Sequence, residues 1–405
     1  MNFLQSFPDK ETLLKQSDQL VFDLNGHIHT PFSFSAFDNI PQVFKMCNEE
    51  NIKAIGINDF IVTDGYQSFH DNAVSSRVFP LFNIEFMGLL KEEQAKGIRI
   101  NDPNNPGRTY FSGKGLDFPS NLDKATQQLL NEVKEESNKQ TSQMVEKLNV
   151  FMKEINAPFS FSYEEVKEKY AEDLVRERHI AKAVRMKVCE TFSSDEDRIA
   201  WLSKIFSGKP VESQLDDISA LENEIRGRLL KAGGPAFVPE DDSAFLELDK
   251  VKDIIIKMGG IPCYPVLLDD KNGDCTDFES DFEKLRDTLK AKNILSVELI
   301  PGRNDINILM KFVRIFHEDN FVITFGTEHN SPALIPLKVD TRGHIDLDDE
   351  LKEISYQGAC VIAAHQYLRA NGEEGYLDAE GKAKSDQIDE FRVLGAGVFN
   401  YYFKR

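Results

Sequence analysis

Basic charge is in short supply. The 405 residues carry 48 Lys and Arg against 68 Asp and Glu, a formal charge of −20. A protein that coats nucleic acid needs basic surface to displace counterions from phosphates, so that class of function is excluded. A small phosphorylated substrate is not excluded, because a metal ion can invert the local field. Cysteine is also sparse: Cys47, Cys189, Cys263, Cys275 and Cys360 show no CxxC and no regular spacing. That argues against a disulfide framework and a structural zinc finger, and for reduced thiols. No apolar run approaches the roughly 20 residues needed to span a bilayer. The first residues show no cationic start, apolar stretch or cleavage site of a secretory leader. The expectation is a cytoplasmic protein whose partner is a small, anionic molecule rather than a nucleic acid or a membrane.

What is present is enough apolar material for a large core, 41% of the chain against 29% charged, which rules out wholesale disorder. Seven short apolar runs recur: Val21–Gly26, Ala54–Ile57, Phe79–Ile84, Gly260–Tyr264, Leu295–Glu298, Phe321–Gly326 and Ala359–Ala364. They are near-continuous rather than alternating, as strands buried on both faces require. Helical stretches are expected at Ile40–Asn51, Phe278–Lys292 and Asn304–His317, the last with Ile308, Phe312 and Ile315 on one face. Strand–helix alternation argues for a parallel sheet whose functional groups gather at the C-terminal strand ends. Those ends carry His27, His29, Asp59, Glu85, Tyr264, Glu298, Glu328, His329 and His365. So much chemistry at successive ends suggests one site, and hence a closed barrel. Residues 91–235 break the rhythm: Gly97–Pro119 reads as a Gly/Pro/Asn-rich loop, and Leu122–Ile155 as a long charged helix followed by further helices. The reading is an α/β, distorted seven-stranded (β/α)7 TIM-like barrel formed by residues 1–90 and 236–405, with 91–235 a mostly helical insertion.

In His27-Ile28-His29 the two imidazoles are alternate residues, which point the same way in a strand. With Asp59 and Glu85 at the next two strand ends they form a donor set suited to zinc, manganese or iron. Buried carboxylates without a cation would be costly, so a shared metal is the economical explanation. For His365, directly after an apolar run, a site role and a simple hydrogen-bonded histidine stand about level. Tyr264 can donate a hydrogen bond from its phenol or simply pack. Arg303, just past the fifth run, is a candidate anion clamp, while His70, His317 and His344 read as surface residues.

The order of these motifs resembles the PHP (polymerase and histidinol phosphatase) family, most closely its stand-alone metal-dependent phosphoesterases. Beyond the HxH, Asp59 and Glu85, Arg178-His179-Ile180-Ala181 is similar to a helical segment of that family. Pro235–Pro239, Gly259–Pro265, Val297-Glu298 and Phe325–Asn330 resemble further family motifs in the same order. The resemblance implies a distorted (β/α)7 barrel and metal ligation by His27, His29, Asp59, Glu85 and Glu328, with His329 available nearby. It also implies that Arg178 and His179 contact a substrate anion. Phe34, Phe60 and Tyr264 stand where the family has an Asp and two His, and Asn330 stands at another His position. The implied centre is therefore reduced to one or two divalent ions. The expected activity is a metal-dependent hydrolase, a phosphoesterase acting on a small phosphorylated molecule, with Asp59, His179 and Arg303 as catalytic groups and Arg178, Tyr264 and His365 binding substrate. The alternatives are a lyase, isomerase or C–N hydrolase of a sugar-like substrate on the same fold, and a non-catalytic binding protein with a degenerate site.

Overall fold

Six of the seven apolar runs become parallel strands of one barrel. A computed structural model describes residues 2–18, 20–120, 122–240 and 245–404. Its strands are β1 (Leu24–Ile28), β2 (Ala54–Phe60), β3 (Phe79–Leu89), β4 (Arg108–Lys114), the two-residue β5 (Leu246–Glu247), β6 (Ile261–Val266), β7 (Ser296–Leu299) and β8 (Val322–Phe325). The barrel order is β1-β2-β3-β4-β6-β7-β8, with β5 paired outside this path to β3. The seam between last and first strand is closed by backbone bonds from Glu328 N to His27 O at 2.9 Å and from His29 N to Glu328 O at 2.8 Å. Gly326 makes that approach possible, since a Cβ there would stand 2.4 Å from His27 Cβ.

Two expectations are corrected. The seventh barrel strand is β4, inside the stretch read as a loop, and it runs antiparallel to both β3 and β6. Its pattern is inverted: Ser112 and Lys114 turn polar atoms into the barrel, whereas Phe111 joins the apolar layer outside. A strand whose polar face is the buried one is hard to detect as apolar periodicity. One strand of the barrel therefore lies within residues 91–235.

The run Ala359–Ala364 is not a strand but the middle of a 22-residue helix, Asp349–Ala370. That helix is buried almost all round between the sheet and the C-terminal helix Ile388–Lys404, so it is apolar on every face and reads like a buried strand. Close contacts explain its small residues: a Cβ on Gly358 would lie 1.9 Å from Ile323 O, and one on Gly395 would lie 1.9 Å from Cys360 O.

The remaining helices follow their local signals. Asn39 caps Ile40–Glu49 through Gln42 N, and the helix buries Val43, Phe44 and Cys47 against the barrel. Asp305 caps Ile306–Glu318, which buries Leu309, Phe312, Val313 and Phe316 and leaves Ile308 and Ile315 at the edge of the contact. From Lys124 to Leu230 the chain is helical, with an apolar cluster of its own built on Leu148, Ile180, Val184, Leu202 and Ile225. Among the described residues, no helix is long and apolar enough to cross a membrane.

His365 lies on the helix Asp349–Ala370, at the barrel end opposite the strand C-termini. Its Nε2 donates to Gly259 O at 2.6 Å, and its Nδ1 accepts from Tyr376 N at 2.9 Å. Both ring nitrogens thus tie chain segments together, far from the other strand-end groups. Replacing it, as in His365→Leu, orphans a buried carbonyl and a buried N–H. The expected result is a loss of roughly 2–4 kcal/mol of unfolding free energy in urea titrations, with metal content unchanged.

Candidate metal centre

β1 delivers the first two groups. His27 and His29 are both buried and face the barrel interior at its C-terminal mouth. His27 Nδ1 lies 2.8 Å from Glu298 Oε2, a carboxylate that must accept, so His27 carries its proton on Nδ1. His29 Nδ1 lies 3.0 Å from Ser33 Oγ, whose own proton is donated to Asp59 Oδ1 at 2.6 Å, so His29 also donates from Nδ1. Both Nε2 atoms are then left with lone pairs, 3.3 Å apart. Burial is the largest influence on each imidazole and holds its pKa below the usual value, that of His29 far below. Two neutral rings with opposed lone pairs at that distance call for a cation between them. Asn58 Nδ2 sits 3.1 and 3.0 Å from Nδ1 and Nε2 of His27, nearly equidistant and so not in line with the Nε2 lone pair.

Two carboxylates complete the set. Glu85, from β3, brings Oε2 to 3.5 Å from His29 Nε2. Its carboxyl is pushed up to about 8, first by burial and then by the charge of Glu298. Glu328 follows β8 and forms an ion pair with the half-exposed Arg303. Donor atoms of His27, His29, Glu85 and Glu328 all lie within 4.8 Å of one another. Imidazole and carboxylate donors in equal number suit zinc, manganese or iron, and the opposed lone pairs and high Glu85 pKa are what a removed cation would leave behind. The residues present fit a divalent ion.

The backbone at the mouth is unusual. Glu328 and His329 are consecutive residues with positive φ, +67° and +51°, and Ile61 after β2 and Leu268 after β6 have φ of +53° and +62°. Such conformations are uncommon for non-glycine residues and cluster at functional sites. At Glu328 the turn is held by the seam bonds described above.

Other residues singled out from the sequence lie elsewhere. Asp59 is behind the cluster, not in it: it accepts from Thr30 N at 2.7 Å, Thr30 Oγ1 and Ser33 Oγ, and burial raises its carboxyl to about 6. It anchors the turn that follows His29. His329 stacks on Phe37 and uses Nδ1 with Thr327 Oγ1 at 2.7 Å and Nε2 with Ile335 O at 2.9 Å, so no ring nitrogen remains for a metal. The phenol of Tyr264 donates to Glu279 Oε1 at 2.7 Å and pins the loop after β6. His179 accepts from Arg176 N at 2.9 Å, capping the helix Glu177–Thr191, and packs edge-on against Phe34. Arg178 turns to Asn223 at 2.8 Å. Of the anion-binding candidates named from the sequence, Arg303 lies beside the four donors, paired with Glu328.

Several participants carried no motif. Ser33, Asn58, Ser112 and Lys114 shape the hydrogen bonding around the two histidines, and only the inverted polarity of β4 hints at the last two. Arg176, two residues before Arg178, lays its guanidinium over the Phe60 ring at 4.3 Å and forms no ion pair among the described residues. It borders a cleft of about 770 Å³ between the barrel mouth, at Met87 and Tyr110, and the helices bearing Thr141, Met144 and Arg226. A neighbouring cavity of about 310 Å³, lined by Phe60, Ile61, Val133, Val238 and Phe245, shares Arg176. Arg226 and Lys231 are engaged by Glu177, and Arg108 by Glu240.

No family model matches the chain, and no curated protein matches it in sequence. Solved structures do match. One, from Bifidobacterium adolescentis, bears the provisional name of metal-dependent phosphoesterase. It superposes with a TM-score of 0.53 at 15% identity, over 83% of this chain and 96% of that one. Another, an amidohydrolase from Chromobacterium violaceum solved with bound sulfate and no metal, gives 0.52 at 12% identity, over 82% and 96%. Identity this low establishes a shared fold.

Two outcomes follow from the geometry. His27→Ala/His29→Ala removes both opposed nitrogens but little core packing, so elemental analysis should find no stoichiometric metal in a protein whose circular dichroism is unchanged. The second concerns pH. Folded Glu85 holds its proton up to about 8, whereas an unfolded Glu releases it near 4.5, so the metal-free protein loses stability as pH rises towards 8. Between pH 7 and 8 the slope attributable to Glu85 is at most about 1.4 kcal/mol per unit. In denaturant midpoints measured across that window, Glu85→Gln should flatten the decline; an identical slope would show that Glu85 does not titrate there.

Proposed function

We propose that the protein is a metal-dependent hydrolase, a phosphoesterase acting on a small phosphorylated molecule. The observation that carries this reading is the convergence of His27, His29, Glu85 and Glu328 at a barrel mouth flanked by Arg303. The provisional name of the Bifidobacterium neighbour points the same way. His27, His29, Glu85 and Glu328 would hold the ion. A divalent ion there supplies a Lewis acid and a bound water acidic enough to ionise near neutral pH.

The chain's own groups do the rest. Glu298 and Ser33 keep the protons of the two imidazoles on Nδ1, so Nε2 of each stays a donor. Arg303, half-exposed, can exchange the Glu328 carboxylate for a phosphate oxygen, a planar fork matched to such an anion. Arg176, braced on Phe60 and free of any carboxylate among the described residues, can take a second oxygen or a more distant anionic group. Asp59 acts through Ser33 and the turn it anchors, not by touching substrate. His179 holds the backbone of Arg176 at the helix start. The inserted helices supply one wall of the cleft that Arg176 borders.

The test is a panel of phosphomonoesters, phosphodiesters and amides with the manganese- and zinc-loaded protein. Hydrolysis of phosphate esters is expected, and Arg303→Met should lower kcat/KM by roughly 10²–10³-fold through loss of a charge-assisted clamp without lowering metal content. Turnover of amides alone would move the assignment to C–N hydrolysis. Inactivity of the metal-loaded protein on every class would leave a binding role.

A further inference from the structure

Beneath the four donors the barrel holds a lysine. Lys114 is the last residue of β4, and its side chain is fully buried. Because β4 runs antiparallel, Lys114 pairs with Ile261 at the start of β6, at the end of the barrel away from the mouth. The side chain therefore rises inside the barrel instead of leaving it. Its ammonium forms an ion pair with Glu298 Oε2 and lies 3.3 Å from Asn58 Oδ1. That same Glu298 oxygen is the acceptor of His27 Nδ1, and Ser112 Oγ donates to the other oxygen. The lysine is thus one carboxylate removed from a metal-binding imidazole.

Burying an ammonium is unfavourable, and an apolar side chain would fill the same space without that cost; what it could not do is balance Glu298. Formal charge within the mouth makes the point. Glu85 and Glu328 bring two negative charges, which one divalent ion cancels. Glu298 brings a third, which Lys114 cancels. Arg303 remains for an incoming anion. A second divalent ion would find no uncompensated carboxylate among these groups, and the position beside Glu298 and Asn58 is already taken.

We propose that Lys114 is a tethered cation of the metal centre, holding the place beside Glu298 and Asn58 that a second ion would otherwise fill, so that the centre takes a single divalent ion. The inference rests on the metal-binding reading of the four donors. It makes Lys114 a positioning residue, acting on His27 through Glu298.

The test is metal stoichiometry of the full-length protein, stripped with chelator, dialysed against manganese chloride and measured by elemental analysis. Wild type should bind one ion per chain. Lys114→Ala opens the space and leaves Glu298 unbalanced, and it should bind two. Lys114→Met/Glu298→Gln removes both charges while keeping the volume, and it should return to one. A lysine of purely structural importance would lower the stoichiometry when removed or leave it alone, but not raise it. Should Lys114→Ala fail to fold, Lys114→Ser, which also leaves Glu298 unbalanced, decides: two ions support the proposal, and one or none overturns it. Wild type without any bound ion defeats the metal-binding reading itself. Wild type and Lys114→Ala both at one ion, or wild type at two or more, defeats only the role of Lys114.

Discussion

Everything at the mouth depends on the seam where the last strand meets the first. The hydrogen bonds between Glu328 and the backbone of His27 and His29 do two things at once. They close the barrel, and they bring a carboxylate from one end of the sheet beside two imidazoles from the other. The left-handed turn at Glu328 is maintained by these bonds, and the missing side chain of Gly326 lets the strands approach closely enough to form them. Ligand placement here is a consequence of closure, so the geometry of the centre is only as well defined as the seam.

The site it creates is costly for the metal-free chain. Two histidines are kept neutral by burial, Glu85 is kept protonated to unusually high pH, and lone pairs face one another. The carboxylates around them are well partnered: Asp59 has three donors, Glu298 has an ammonium, a hydroxyl and an imidazole, and Glu279 has a phenol and two backbone N–H groups. Unfavourable interactions are concentrated at the point where a cation would relieve them, while the supporting shell is hydrogen-bonded and rigid. That contrast between donors and shell is what preorganisation requires.

The helical segment contributes cleft lining and Arg176 rather than any of the four clustered donors. Its own apolar cluster lets it hold a fixed shape, and Arg176 reaches from it to Phe60 at the end of β2. Phe34 packs edge-on against His179 and the Phe60 ring lies under Arg176, so the helices gain an aromatic packing contact with the mouth.

Much of this was determined locally. Near-continuous apolar runs ended by polar residues specify six parallel strands and put His27, His29, Glu85 and Glu328 at one end of a sheet, because strand direction and the alternation of side chains are fixed by the chain itself. Helices with a cap and a single apolar stripe were equally readable. Tertiary structure decided what local pattern cannot express. β4 has its polar face inward, so Ser112 and Lys114 are core residues with surface chemistry; Asp349–Ala370 is surrounded by protein, so its periodicity vanishes and its centre reads as a strand. Asp59, His329 and His365 have the right chemistry at plausible positions, yet their polar atoms are taken by other partners: Thr30 and Ser33 for Asp59, Thr327 and Ile335 for His329, Gly259 and Tyr376 for His365. A side chain's identity says what it can bind, but its neighbours decide what it does bind, and those neighbours were assembled only when the barrel closed.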